Sequence, residues 1–525
     1  MAGGILALLI LIAALSCGGP QETPKPDLSA VRIPIPADPE SLSFATVKGR
    51  WSLIITELIG DSLVGLDRNM EIIPRLAESW SWSGDHLHLT FHLREDATWH
   101  DGRPVTSADV VHTWKVLTDA SSGTSSWTPA FAPIQRVEAL DDLTLRVDYD
   151  KPFAAALNGW GAPLIPEHRP LEDPEYIGCG PWILERWDRG ERIVLRANPA
   201  HYLPPRLDRL VMEILPDPGT RFKALRAGQL DICGLLPAQW QATQEDPELM
   251  SRLDFFEYRI LYFFFIAWKD AGPASLFHDP RVRRAMTEAI DRQGFLDRFM
   301  EGFGQVAVTT FHPDCWAFDP QLAPWPYDPA DARRLLENAG WHEPSEGKVR
   351  KSAGRPFRFK LTYAAGSSET ENIATYVQSQ LAEVGVEAVL EPLEWSLFLQ
   401  RIRQDKDYDA VMNGWGLDVD PDPFDLFHSS QTGPGGANYA FIRDEMVDEL
   451  IERARETFDR PRRRELYWRL QQRLHQLEPE TVLFYPASRT THDRRLEGVQ
   501  GSPLGPLRFT PGSCAWHWQE GGNQP

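Results

Sequence analysis

The chain has 525 residues, 42% of them apolar, and a formal charge of −21. That is enough for two or three domains, because single cores stop growing at about 250 to 300 residues. An acidic balance excludes the basic footprint that nucleic acid needs, and it excludes adhesion to anionic lipid by charge alone.

The first stretch, Ile5 to Leu15, is apolar and ends at Ser16-Cys17-Gly18-Gly19. It is shorter than the ~20 apolar residues a spanning helix requires, so it reads as an export signal over residues 1–17. A Cys directly after a small residue resembles a bacterial lipoprotein processing site. The resemblance implies lipidation of Cys17 and attachment to a bilayer, and residues 18–30 then form a polar, Pro-containing tether. Export implies an oxidising compartment, in which Cys179, Cys233, Cys315 and Cys514 have three possible pairings. None belongs to a C-x-x-C, so zinc and thioredoxin chemistry have no support.

Leu87, Leu89, Phe91 and Leu93 alternate with His86, His88 and His92 over a run read as a strand from Asp85 to Arg94. No carboxylate or Cys at ligand spacing completes the three His, so that face is read as solvent-exposed rather than as a metal site. Thr106 or Ser107 caps a helix with Asp109 in its first turn. Leu207 to Ile214, Thr220 to Gly228 and Leu230 to Ile232 read as a β-α-β unit. Phe255 to Trp268 is nearly all aromatic and aliphatic and reads as one buried strand.

Helices follow at Asp279-Pro280 and Asp328-Pro329, each with an Asp cap and Pro in its first turn, and at Asp291. The run from Phe357 to Tyr363, the helix from Thr370 to Val384 and the strand from Val386 to Leu390 form a second β-α-β crossover, which requires parallel strands. A helix from Trp395 to Arg403 leads to a short strand around Tyr408 to Met412. After it comes a Gly- and Asp-rich loop, Asn413-Gly-Trp-Gly-Leu-Asp418-Val-Asp420-Pro-Asp422-Pro. Loops beyond the carboxyl ends of strands in such sheets are where ligands bind. A carboxylate near an indole suits a cationic, partly apolar ligand such as the ammonium end of a peptide.

Four blocks carry a family resemblance. They are Leu76-Ala-Glu-Ser-Trp80 with Trp99-His-Asp-Gly-Arg-Pro-Val-Thr106, Gly178-Cys-Gly-Pro-Trp182, Asp279-Pro-Arg-Val-Arg-Arg284, and Tyr327-Asp-Pro with Ala339-Gly-Trp341. At this spacing the chain resembles the extracytoplasmic solute-binding proteins of family 5, the peptide- and nickel-type components of ABC transporters. The resemblance implies an α/β, bilobal periplasmic-binding-protein fold of the large three-subdomain class with a two-strand hinge. Lobe I would comprise residues 31–48, 171–266 and 489–525, with an inserted subdomain over 49–170, and lobe II residues 267–488. The function implied is capture of di- or oligopeptides by lobe closure and delivery to a membrane permease, by a monomer outside the cytoplasm and without cofactor.

In peptide-binding relatives the Asp of a G-W-x-x-D run holds the ligand ammonium, and Gly414-Trp415-Gly416-Leu417-Asp418 carries it here. Asp420 is a competitor for that role, Trp415 a candidate wall, and Asn438 either a loop brace or a ligand contact. Several dipeptide binders place an Arg after the strand equivalent to Phe357–Tyr363, whereas Ala364 to Glu369 holds no cation. Anchoring at both ends of a dipeptide is therefore not expected. A nickel chelate, held through His428 or a His-containing cleft, an oligosaccharide or another solute are the alternatives within the fold. A secreted hydrolase is disfavoured, since neither G-x-S-x-G nor H-E-x-x-H occurs, although carboxylate counting alone does not exclude a glycosidase pair.

Overall fold

The computed structural model describes residues 28–47, 49–119, 127–171, 175–343 and 349–519, and the expected export signal, Cys17 and most of the tether lie outside them. Three sheets organise the chain. In the first, Ala30–Ile35 pairs in parallel with Arg209–Ile214, followed by Arg192–Ala197 and Trp182–Asp188 in antiparallel order. Trp516 and Trp518 return from the far end of the chain to its core, and the Trp518 indole donates to the Ala30 carbonyl at 3.1 Å.

The second sheet is antiparallel, in the order Ala77–Trp82, His88–Leu93, Thr144–Tyr149, Ile134–Ala139. Leu89, Phe91 and Leu93 are buried while His88 and His92 are exposed, as the alternation predicts. His86 departs from that pattern. It sits before the strand in a tight turn at φ 58, in the left-handed region, and so does not share the strand face. Among the described residues no group of His, Cys, Asp and Glu is placed to hold a metal.

The third sheet has eight strands and spans both halves of the molecule. Its spine is the 14-residue strand Glu480–Asp493, whose first part pairs with Tyr262–Trp268 and whose second part pairs with Leu253–Arg259. The expected single strand over Phe255–Trp268 is therefore two. Pro486 explains the break: Ile260 donates to its carbonyl at 2.9 Å, but proline has no N–H to return. Phe255 is 49% exposed, whereas Phe263 and Phe265 are fully buried on one face and Ile266 and Trp268 on the other. A strand with a core on both sides reads as continuous apolar sequence, which is why periodicity did not mark the division.

Beyond that spine, Arg358–Ala364 lies parallel to both Ala410–Gly416 and Glu387–Leu393, which completes the expected crossover through the helix Ser368–Glu383. The earlier unit differs from expectation. Arg209–Ile214 belongs to the first sheet and Ile232–Leu235 to the third, so the helix Pro218–Arg226 links two sheets rather than two neighbouring strands. Asp279 and Asp328 cap their helices as read, accepting from Arg281 N and from Ala330 N and Asp331 N. The four described cysteines are free, three of them buried, so none of the three pairings occurs. No helix among the described residues is long and apolar enough to cross a membrane.

The two halves also meet away from the shared strand. The corner between the helices Glu445–Glu456 and Arg460–Leu477 docks on the second sheet, where Phe458 stacks on His86 with ring centroids 4.0 Å apart and meets Trp82 edge-on at 4.9 Å. Arg460 makes two 2.7 Å bonds to Glu71, and Ala154 N donates to the Arg455 carbonyl at 2.7 Å.

One buried group sets a pH dependence. Glu480 stands opposite Ala267, is 4% exposed, and neither carboxyl oxygen has a hydrogen-bond partner. Burial pushes its carboxyl up to about 8, so the folded state holds a proton that the unfolded chain releases near 4.5. A raised folded value means stability is greatest below the unfolded value and is lost as pH rises towards about 8. Urea midpoints at about pH 5, 7 and 9 are expected to show Glu480→Gln gaining on the wild type by up to about 1.4 kcal/mol per pH unit in that window. A difference that does not vary with pH would contradict the assignment.

Candidate ligand cleft

The strand Ala410–Gly416 runs farther than its sequence implied. Gly414 and Gly416 are part of it, paired with Phe264 and Tyr262. Gly414 is required by close approach, because a Cβ there would lie 1.5 Å from the Tyr262 hydroxyl, which leans across the strand. The loop carrying the three Asp residues begins only at Leu417, whose amide is held by the Leu261 carbonyl at 3.0 Å. This loop lies at the carboxyl end of its strand, beside the turn after Arg358–Ala364. It faces Met70 of the other half across a cavity of about 70 Å³.

Asp418, Asp420 and Trp415 all line this cavity. The three carboxylates of the loop have different surroundings. Asp420 is gripped by Arg463 through two bonds of 2.6 and 2.7 Å, and Arg463 is itself braced by Tyr467 Oη at 2.9 Å and the Ala454 carbonyl at 2.9 Å. Asp422 faces Arg455 at 3.0 Å, and burial pushes its carboxyl up to about 6 against that attraction. Asp418 has no hydrogen bond or ion pair among the described residues. Its side chain is exposed to solvent, although protein from both halves stands around it. That crowding, with Asp420 and Asp425 nearby, holds its carboxyl above the usual range, while Arg508 pulls the other way. Arg508 makes no bond to it and instead donates twice to Glu57 at 2.7 and 2.8 Å.

Asp420 thus loses its candidacy as a free anchor, because removing it from Arg463 would leave a buried cation uncompensated. Asn438 also turns inward. It is fully buried, donates towards the carbonyls of Phe427, His428 and Ile442 at 3.0 to 3.3 Å, and accepts from Ile442 N at 3.0 Å. It braces the loop and does not line the cavity. His428 is buried, its ring bonded to Ser430 and Glu452, with no second donor set for a nickel ion among the described residues. Trp415 is half-buried, its ring edge-on to Tyr439 at 6.4 Å. The turn after Arg358–Ala364 presents no cation; Glu369 there is held above the usual carboxylate range by burial.

Among the lining residues that sequence reasoning missed are two neutral polar ones, Thr310 and His312, on the segment after the strand Gly304–Val306. Isolated polar residues in a run without periodicity gave no signal.

A family model for bacterial extracellular solute-binding proteins, family 5, matches residues 71–438. The chain belongs to this family. Over 470 residues, this family 5 protein is 27% identical to the oligopeptide-binding protein AppA of Bacillus subtilis, covering 86% of the chain and 84% of AppA. Two solved structures share its bilobal fold. AppA from Bacillus subtilis in complex with a nonapeptide has a TM-score of 0.76 at 24% identity, covering 94% of this chain and 99% of that one. NikA from Brucella suis in complex with Fe(III)-EDTA has a TM-score of 0.82 at 23% identity, covering 93% and 100%. The family is defined by solute binding rather than catalysis.

Asn438→Ala is expected to destabilise this family 5 protein by about 2 to 3 kcal/mol, since it leaves the Ile442 amide and the carbonyls of Phe427 and Ile442 without their partner. The loss would appear as a lowered urea midpoint. An unchanged midpoint would remove Asn438 from its bracing role.

Proposed function

We propose that this protein is the solute-capturing component of an ABC importer and that its solute is a peptide bound through a free amino end by Asp418. The observation that carries the reading is the inequality among the cavity carboxylates: Asp420 and Asp422 are matched to Arg, whereas Asp418, at the end of the Gly414-Trp415-Gly416-Leu417-Asp418 run, and Asp425 are not. A crowded acid without a counter-ion is costly in the closed form, and a ligand ammonium removes that cost. Ligand with higher affinity for the closed than the open arrangement shifts the population towards closure. The peptide-binding relatives support the same choice.

Lobe I then comprises residues 31–48, 171–266 and 489–525, with the inserted subdomain over 49–170, and lobe II residues 267–488. The packing of Phe263 and Phe265 in the second lobe's core favours moving the crossing back to Ile260–Leu261. Cys17 carries the lipid that holds a monomer at the outer face of a membrane, next to the permease. The missing cation after Arg358–Ala364 favours peptides longer than two residues, held by their backbone rather than at the carboxylate.

Calorimetry with alanine peptides of two to six residues and their N-acetyl forms tests this. Asp418→Asn is expected to weaken free-amine peptides by at least about tenfold, the loss of one charge-assisted bond, and N-acetylation is expected to weaken wild-type binding similarly. Equal affinity of wild type and variant would remove the anchor. Binding is also expected to weaken on acidification earlier than an ordinary Asp would dictate, because protonation of the raised carboxyl removes the charge the ammonium needs. That pH dependence is expected to be absent in Asp418→Asn.

A further inference from the structure

Besides the carboxylates of Asp418 and Asp425, the cavity wall carries two neutral side chains that each hold a buried polar atom without a partner. Thr310 is 5% exposed and His312 is 1% exposed, and both line the cavity. Thr310 Oγ1 and His312 Nε2 are buried and have no hydrogen-bond partner. The two ring nitrogens of His312 differ. Nδ1 lies 3.2 Å from Asp314 N and accepts its proton, which leaves the ring's own proton on Nε2. Burial pushes the ring's pKa down to about 4, in keeping with a neutral imidazole of that tautomer. The Ile260 carbonyl lies near enough to favour a proton on the ring, but it does not meet Nε2 with hydrogen-bond geometry, and Nε2 has no partner. Nε2–H is therefore a donor without an acceptor, and the Thr310 hydroxyl is a second one in the same wall.

Buried donors are nearly always matched in folded proteins, and those left open in a cavity wall state what an occupant must supply. Here the wall asks for two things together: a cation for Asp418 and, in the same cavity, an oxygen that accepts hydrogen bonds. We propose that Thr310 and His312 form a notch that reads the first carbonyl oxygen of the ligand, so that the site selects an α-amino-acyl group rather than an amine as such. This rests on the assignment of Asp418 to the ammonium and adds a specificity that Asp418 alone cannot give. A simple alkylammonium or a polyamine satisfies the acid and leaves both donors unmatched. An α-amino-acyl end, with its carbonyl one carbon from its ammonium, satisfies all three.

The test compares alanine peptides of two to six residues with the same peptides carrying sulfur in place of oxygen at the first carbonyl, a much weaker acceptor of nearly the same shape. Calorimetry is performed on the wild type, Thr310→Val and His312→Phe, with a thermal melt of each. Wild type is expected to prefer the oxygen form by about tenfold. Each variant is expected to bind that form about tenfold more weakly and to lose most of the preference, while still rejecting N-acetylated peptide. Thr310→Val is close to isosteric, so it decides the matter if His312→Phe does not melt cooperatively. A wild type indifferent to the sulfur, or variants that keep the preference, overturns the notch while leaving the Asp418 assignment standing. If no alanine peptide binds the wild type, the peptide reading falls and the notch falls with it.

Discussion

The strand Glu480–Asp493 is the one element that neither half of the molecule can give up. Its ladder to Tyr262–Trp268 sits between the two largest cores of the second half, and its continuation to Leu253–Arg259 lies in the first. Because each ladder bond must be made by someone, the proline at 486 leaves a local gap where the partner strand breaks and turns at Ile260–Leu261. The same turn holds the start of the acidic loop, through the Leu261 carbonyl and the Leu417 amide. The place where the halves can pivot and the place where the cavity begins are thus one piece of backbone.

Around that piece the charges are distributed unevenly, and the unevenness is what gives the cavity a chemistry. Three aspartates within five residues would repel each other in any compact loop. Arg463 and Arg455, from the helices behind, neutralise two of them. Arg463 is buried and makes four hydrogen bonds, so it is a fixed part of the structure behind the wall rather than a mobile counter-ion. The acids that remain at the cavity without a partner among the described residues are Asp418, in a crowded place, and Asp425, while Arg508 acts on Asp418 but is bonded to Glu57. A cavity lined this way is acidic and offers little to an anion.

Much of this was legible in the chain itself. The Asp-Pro starts at 279 and 328, the alternation of Leu89, Phe91 and Leu93, and the crossover through Ser368–Glu383 all appear as read, because each depends on neighbours in sequence. The failures share a different cause. Dividing Phe255–Trp268 required knowing that Pro486, more than 200 residues later, lies alongside it. Setting aside Asp420 required Arg463, which a helix surface supplies from 43 residues away. His86 was placed on a strand face because its alternation was correct, but the turn before the strand took it out of register. Thr310 and His312 were invisible because a polar residue in an irregular segment shows its purpose only when the absence of partners around it can be seen.

The docked corner at Phe458 has a consequence for timing. Arg455 faces two ways: its carbonyl receives Ala154 from the first half, and its guanidinium holds Asp422 on the cavity loop. Phe458, three residues on, rests on a histidine ring held in a left-handed turn, and neither ring lines the cavity. Any parting of the halves about the shared strand must peel these rings apart and pull Arg460 from Glu71. How long a captive is retained is therefore governed in part by a clasp that never touches it, so dwell time can be retuned at that clasp while the walls that choose the guest stay as they are.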